Sequence, residues 1–188
     1  MSDTGGNTSL PSGDDSCTLR GMQALLCVPL AVALSAQAPA ATSSPTTPSV
    51  YISAEEIATT LKQSIANNVV DQPIKAMDIA TPSAHRASLA LLRRTKEETT
   101  ALIHNRVTEI YQIVEGAGTL VIGGTIDDAK DTDLTRLNAG PSQTGAHRGG
   151  ESRRVGPRDV IIIPAGTPHR FSALDGPITY LVYRFEPK

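Results

Sequence analysis

Two histidines and one carboxylate stand out in the sequence as residues that could bind a transition metal. His104 and Glu109 lie in one largely apolar segment, and His169 follows much later, directly after a Pro-Ala-Gly-Thr-Pro run. Imidazole nitrogens and carboxylate oxygens are ligands for Fe, Mn and Zn, and three such ligands leave coordination positions for other molecules. The three residues therefore predict a divalent transition-metal site that is open to a substrate.

The segment 108–115 is predicted to be a strand that carries Glu109 into the protein interior. Because alternate residues of a strand face the same side, Glu109 shares a face with Tyr111 and Ile113. The apolar pair must face inward, so the carboxylate is predicted to be buried with it. An unpaired buried charge is costly, and a metal ion or a basic side chain must therefore lie beside it.

A pocket without metal is the alternative interpretation. Arg184 shares one face of the final predicted strand with Tyr180 and Val182, so it is the basic side chain that could pair with Glu109. In that case the same pocket would bind a polar ligand directly.

Five further side chains are predicted to face this pocket, because each alternates along a strand with site residues or with apolar residues. Core packing is the alternative for Tyr111 and Phe171, and a structural role is the alternative for His85. The predicted catalytic groups are Tyr111 and Arg184, and the predicted lining residues are His85, Leu102 and Phe171.

Composition excludes several other functions. The formal net charge of -2, with interspersed signs, and the absence of tryptophan argue against a nucleic-acid partner. Cys17 and Cys27 both lie near the N-terminus, so the rest of the chain offers neither a disulfide scaffold nor a thiolate nucleophile. The sequence contains no G-x-S-x-G elbow, no P-loop and no dinucleotide-binding fingerprint.

The N-terminal region is predicted to be separate from the folded domain. A polar extension (1–21) precedes a predicted signal peptide (22–38), in which an apolar run ends at a Ser-Ala-Gln-Ala cleavage pattern. The run is too short for a stable membrane span. A Pro/Ser/Thr-rich linker (39–50) follows. We therefore expect an exported protein, periplasmic or secreted; without processing, the chain would be cytoplasmic.

Residues 51–188 are predicted to form one domain. Ser53 is a candidate N-cap for a helix at about 54–66, whose Ile57, Leu61 and Ile65 would face the body of the protein. Short apolar segments with glycine and proline turns then predict an antiparallel barrel at about 74–186. We interpret the polar stretch 125–156 as an extended loop between the two halves of this barrel.

These segments resemble the two motifs of the cupin superfamily. In the first motif, His104 fits the second histidine, and Glu109 and Gly116 follow at the family spacing, whereas Leu102 replaces the first histidine. In the second motif, the spacing from proline to glycine to histidine is kept, and two other positions differ. The matching residues are Pro164, Gly166 and His169, and the departures are Arg158 for glycine and Ala173 for asparagine.

The resemblance implies an all-β fold, an antiparallel cupin barrel (double-stranded β-helix or jelly-roll) with one short N-terminal helix. It also implies a metal-dependent enzyme for a small polar organic molecule, with oxygenase, isomerase and lyase chemistry equally open. His104, Glu109 and His169 would hold a divalent Fe, Mn or Zn ion, and a homodimer is the family's usual assembly. A metal-free module that binds a small ligand without catalysis is the alternative.

Overall fold

The computed structural model describes residues 48–80 and 83–188, which form two antiparallel sheets and one α-helix. The predicted extension (1–21), signal peptide (22–38) and most of the linker lie outside these residues. Helix α1 runs from Ala54 to Asn67, and a 3-10 turn spans Thr135–Leu137. The strands are β1 (Asp71–Ile79), β2 (His85–Arg94), β3 (Ala101–His104), β4 (Thr108–Glu115), β5 (Gly118–Ile122), β6 (Thr125–Leu134), β7 (Gly140–Arg148), β8 (Glu151–Val155), β9 (Val160–Ile163), β10 (His169–Leu174) and β11 (Ile178–Pro187).

The strand order places chain segments that are distant in sequence side by side. The five-stranded sheet has the order β1-β2-β11-β4-β9, and the six-stranded sheet has the order β6-β7-β3-β10-β5-β8. Buried apolar residues of both sheets form one core cluster between them. The predicted all-β fold of antiparallel strands with one short N-terminal helix is therefore confirmed.

Helix α1 packs on the outer face of the five-stranded sheet. Its N-cap is Ser53, whose hydroxyl oxygen accepts a hydrogen bond from the Glu56 amide at 3.0 Å. Ile57 and Leu61 pack against a second apolar cluster on this face, as expected, but Ile65 is 51% exposed. The buried face of the helix includes Ser64 instead. An α-helix has 3.6 residues per turn, so residues spaced by four gradually rotate away from the face that packs on the sheet. This helix is neither long nor apolar enough to cross a membrane.

The expectation of a long loop at 125–156 is wrong, because this stretch contains β6, β7 and β8. Strand β7 lies between β6 and β3 in the six-stranded sheet. Its inward positions are small residues, such as Gly140 and Ser142, which give no apolar alternation. Most of β6 is exposed and polar. The alternation that predicts strands elsewhere is therefore missing, although β6 pairs with β7 and β8 pairs with β5.

Candidate metal centre

The two sheets bring His104, Glu109 and His169 together from three different strands. His104 is the last residue of β3 and His169 the first residue of β10, its neighbour in the six-stranded sheet. Glu109 lies near the start of β4, in the opposite sheet. The turn before β10 is tied to β3, since the Gly166 amide donates to the His104 carbonyl at 2.8 Å. The backbone therefore fixes the two histidines relative to each other.

The three side chains point their ligand atoms at one another. Glu109 Oε2 lies 3.3 Å from His104 Nε2 and 3.4 Å from His169 Nε2. All three ligand atoms lie within 4.8 Å of one another, and all three side chains are buried. This cluster has the composition and the spacing of a three-ligand metal site.

The second nitrogen of each histidine is held by an oxygen acceptor. His169 Nδ1 lies 3.0 Å from the Thr167 carbonyl, to which it donates. His104 Nδ1 lies 2.9 Å from Ser142 Oγ, whose own hydrogen is directed to the carbonyls of Ala139 and Gly140. Ser142 therefore accepts from His104. A neutral imidazole with a proton on Nδ1 has its lone pair on Nε2, so both lone pairs face Glu109.

Converging lone pairs require a cation between them. His169 Nε2 is buried without a hydrogen-bond partner, although Glu109 Oε2 is close. Burial alone would lower the pKa of His169, but its interaction with the Glu109 carboxylate outweighs burial and raises the pKa. Burial alone would raise the pKa of Glu109, whereas the contacts with His104 and His169 hold it well below its usual range. A proton or a metal ion satisfies this arrangement, and the donor set fits a metal.

Two further side chains hold the Glu109 carboxylate. Arg184 Nε donates to Oε1 at 2.8 Å, and the Tyr111 hydroxyl donates to Oε2 at 2.9 Å. Burial and the charge of Glu109 raise the pKa of Tyr111 well above its usual value, so Tyr111 remains a neutral donor. Because Arg184 occupies Oε1, the carboxylate offers Oε2 alone to the two histidines.

Of the three residues predicted to line the pocket, Leu102 and Phe171 face inward, whereas His85 lies on the outer face of β2. Leu102 pairs with His169 across β3 and β10, so both face the same side of the sheet. Phe171 is also inward, but it packs deeper in the core, with its ring centre 5.4 Å from that of Tyr180. His85 does not join the cluster. It shares the outer face of β2 with the residues beneath α1, and its Nδ1 lies 2.9 Å from the Ser83 carbonyl.

Sequence reasoning missed two side chains that support the cluster, Ser142 and Asp71. Ser142 orients His104, and Asp71 holds Arg184 through a 2.6 Å contact to Arg184 Nη2. Both residues lie outside the motifs, in segments without regular apolar alternation. The pairing of β7 with β3 places Ser142 opposite His104, and the ion pair with Arg184 connects Asp71 to the site.

Comparisons with known proteins give similarity in structure only. No protein-family model and no curated protein sequence matches the chain. The chain is similar to the solved structure of BH2720 from Bacillus halodurans, with 19% identity, 75% of this chain and 84% of that chain covered, and a TM-score of 0.45. It is similar to oxalate oxidase (21% identity, 62% and 51% covered, TM-score 0.37). It is also similar to a cupin protein, BF4112, from Bacteroides fragilis (18% identity, 60% and 76% covered, TM-score 0.34). The chain thus spans about half of the oxalate oxidase chain.

Proposed function

We propose that this protein is a metal-dependent cupin enzyme that acts on a small polar organic molecule. His104 Nε2, Glu109 Oε2 and His169 Nε2 would hold a divalent Fe, Mn or Zn ion. The observation that carries the proposal is the buried convergence of these three atoms, with both Nδ1 atoms already hydrogen-bonded. Acceptors at Nδ1 fix the ring orientation and raise the basicity of a metal-binding histidine.

The chain's own residues supply orientation and a dry environment. When bound, the ion would act as a Lewis acid that polarises a substrate oxygen or as a site that activates O₂. Tyr111 and Arg184 hold the Glu109 carboxylate in one orientation. The side chain of Leu102, on the same face as His169, supplies an apolar wall where the family motif has a further histidine. Direct catalytic roles for Tyr111 and Arg184 remain predictions.

The four histidines of the chain provide a matched test of the proposal. Full-length protein is purified without a metal-affinity tag, stripped with a chelator and titrated with Mn²⁺ or Zn²⁺ by calorimetry. We expect one tight site in the wild type and a loss of affinity of about 100-fold or more in His104→Ala and His169→Ala, since a ligand matters at least as much as the groups that orient it.

The variants His85→Ala and His147→Ala are the controls, because neither side chain belongs to the cluster. They should bind metal as the wild type does. Equal affinity in all four variants would show that any metal binds elsewhere and would refute the proposed site.

A metal-free ligand-binding module is the second candidate. It is favoured by the pairing of Arg184 with Glu109, which compensates the buried carboxylate without an ion. In that case stripped and untreated wild-type protein would have the same melting temperature, and Mn²⁺, Fe²⁺ or Zn²⁺ would not raise it.

A further inference from the structure

Asp71 is the first residue of β1 and lies outside both motif segments. Its carboxylate accepts hydrogen bonds from both terminal nitrogens of Arg184. Nη2 lies 2.6 Å from Oδ2, and Nη1 lies 3.4 Å from Oδ1. Its side chain is only 16% exposed, so the contact is largely shielded from water. Planar, two-pronged contacts of this kind fix the orientation of a guanidinium group.

Arg184 transmits this orientation to the candidate metal ligand. Its Nε donates to Glu109 Oε1 at 2.8 Å, and its Nη1 also donates to the Leu137 carbonyl at 2.7 Å. With Asp71 and Leu137 holding its outer edge, the guanidinium cannot rotate away from Glu109. The carboxylate is thereby held with Oε2 towards His104 and His169.

The charges of this chain of contacts sum to a negative value only when Asp71 is included. Glu109 and Arg184 alone sum to zero, so an ion would enter a site without net charge. Asp71 brings the sum of the three groups to -1, and a bound divalent ion brings it to +1. In a buried environment, such differences strongly affect the affinity for ions.

We propose that Asp71 is a positioning residue of the metal site, which acts through Arg184 to orient Glu109 and to set the charge that the ion meets. This inference rests on the proposed metal-dependent function. It further implies that the loaded site, with its net charge of +1, accepts a monoanionic ligand such as a carboxylate. Replacing Asp71 should therefore change cation affinity and anion affinity in opposite directions.

The test compares Asp71→Asn with Asp78→Asn in the full-length protein, with Co²⁺ as the metal and azide as the anion. Asp78 also lies on β1, and its exposed carboxylate pairs with Lys188 and Arg86, away from the site. Competition with a chelator gives the Co²⁺ affinity, and the visible Co²⁺ spectrum reports azide binding. Circular dichroism of the metal-free proteins monitors the fold.

For Asp71→Asn we expect Co²⁺ affinity to fall about tenfold, the lower range for residues that orient a metal ligand. Azide should bind several-fold more tightly, because the loaded site carries one more positive charge. Asp78→Asn should leave both affinities unchanged. Loss of both affinities in Asp71→Asn, or values equal to those of Asp78→Asn, would overturn the inference.

A second variant, Asp71→Glu, keeps the charge but lengthens the side chain, and serves if the asparagine variant does not fold. Its azide affinity should stay within about twofold of the wild type, since the net charge is the same. A larger change would overturn the charge argument. If wild-type protein itself binds no Co²⁺, the proposed function fails; if it binds Co²⁺ but Asp71 has no influence, only this inference fails.

Discussion

Two arginine–glutamate pairs are shielded from solvent, one fully and one partly, and they differ in what surrounds them. Arg184 lies in the second half of β11, and its Nε is 2.8 Å from Glu109 Oε1. Arg94 Nη2 lies 3.0 Å from Glu98, and Arg94 is opposite Ile178 at the start of β11. We call the first the Glu109 cluster and the second the Glu98 cluster. Each pairs a shielded guanidinium with a carboxylate, so the pair alone does not distinguish them.

The remaining atoms of each carboxylate make the difference. In the Glu98 cluster, the second carboxylate oxygen accepts from the Phe171 amide at 2.9 Å, and Arg94 Nε donates to the Tyr180 hydroxyl at 2.8 Å. These contacts tie the loop after β2 to β10 and β11. In the Glu109 cluster, the second oxygen faces two imidazole nitrogens. In the Glu98 cluster, protein donors therefore satisfy both carboxylate oxygens. In the Glu109 cluster, the lone pairs of the two imidazole nitrogens remain available for a cation.

The largest expected effects come from removing each carboxylate. We expect Glu98→Ala to lower the free energy of unfolding by about 2–3 kcal/mol, because Arg94 loses its partner in a partly shielded position. Metal affinity of the folded protein should not change. Glu109→Gln should lower metal affinity about 100-fold or more. It should also destabilise the metal-free protein, because Arg184 loses a buried charged partner. Urea unfolding and metal titration measure the two quantities; equal loss of metal affinity in both variants would contradict the separation.

Two turn glycines with the same φ differ in how closely other backbone atoms approach them, and they provide a stability test. Gly116, in the turn before β5, has φ +78°, and a Cβ there would lie 2.2 Å from the Pro177 carbonyl oxygen. Gly166, in the turn before His169, also has φ +78°, but a Cβ would meet nothing within 4 Å. Gly166→Ala should cost about 1 kcal/mol for the left-handed backbone alone, and Gly116→Ala about 2–3 kcal/mol, since the clash is added. Thermal unfolding that ranks them in reverse would refute this packing.

Leu102→His tests the departure from the first motif. Because Leu102 pairs with His169 and alternates with His104, an imidazole there would face the Glu109 cluster. We expect metal affinity to rise about tenfold, and turnover of a substrate, once identified, to change as an open position is filled. Calorimetric titration against the wild type measures the gain. Unchanged metal content and activity would show that the site does not use this strand face as described.

The smallest effects are expected from two tyrosines whose ring centres lie 4.8 Å apart. Tyr111→Phe removes the hydrogen bond from the Tyr111 hydroxyl to Glu109 Oε2, and Tyr180→Phe removes the hydroxyl that accepts a hydrogen bond from Arg94 Nε. Each should lower the free energy of unfolding by about 1 kcal/mol. Only Tyr111→Phe should also weaken metal binding, by roughly tenfold or less. A similar loss of metal affinity in Tyr180→Phe would mean that the two clusters are energetically coupled.

The sequence predicts the parts of the molecule where pattern and chemistry coincide. His104, Glu109 and His169 could be found because each belongs to a spaced motif, and the inward face of β4 follows from apolar alternation. The alternative partner of Glu109, Arg184, could be found in the same way. Asp71 and Ser142 could not, because their contacts with the site are long-range contacts of the folded chain and belong to neither motif. His85 was misplaced because alternation defines two faces without telling which one is inward. Export and a homodimer stay predictions.

The most direct test is a crystal structure of the metal-loaded protein with anomalous scattering recorded at the absorption edge of the metal. We expect one strong peak inside the barrel, about 2.0–2.3 Å from His104 Nε2, Glu109 Oε2 and His169 Nε2. Arg184 should still contact Glu109 Oε1. Loaded crystals with no peak among these three atoms, or with peaks only at surface carboxylates, would show that His104, Glu109 and His169 do not form a metal site.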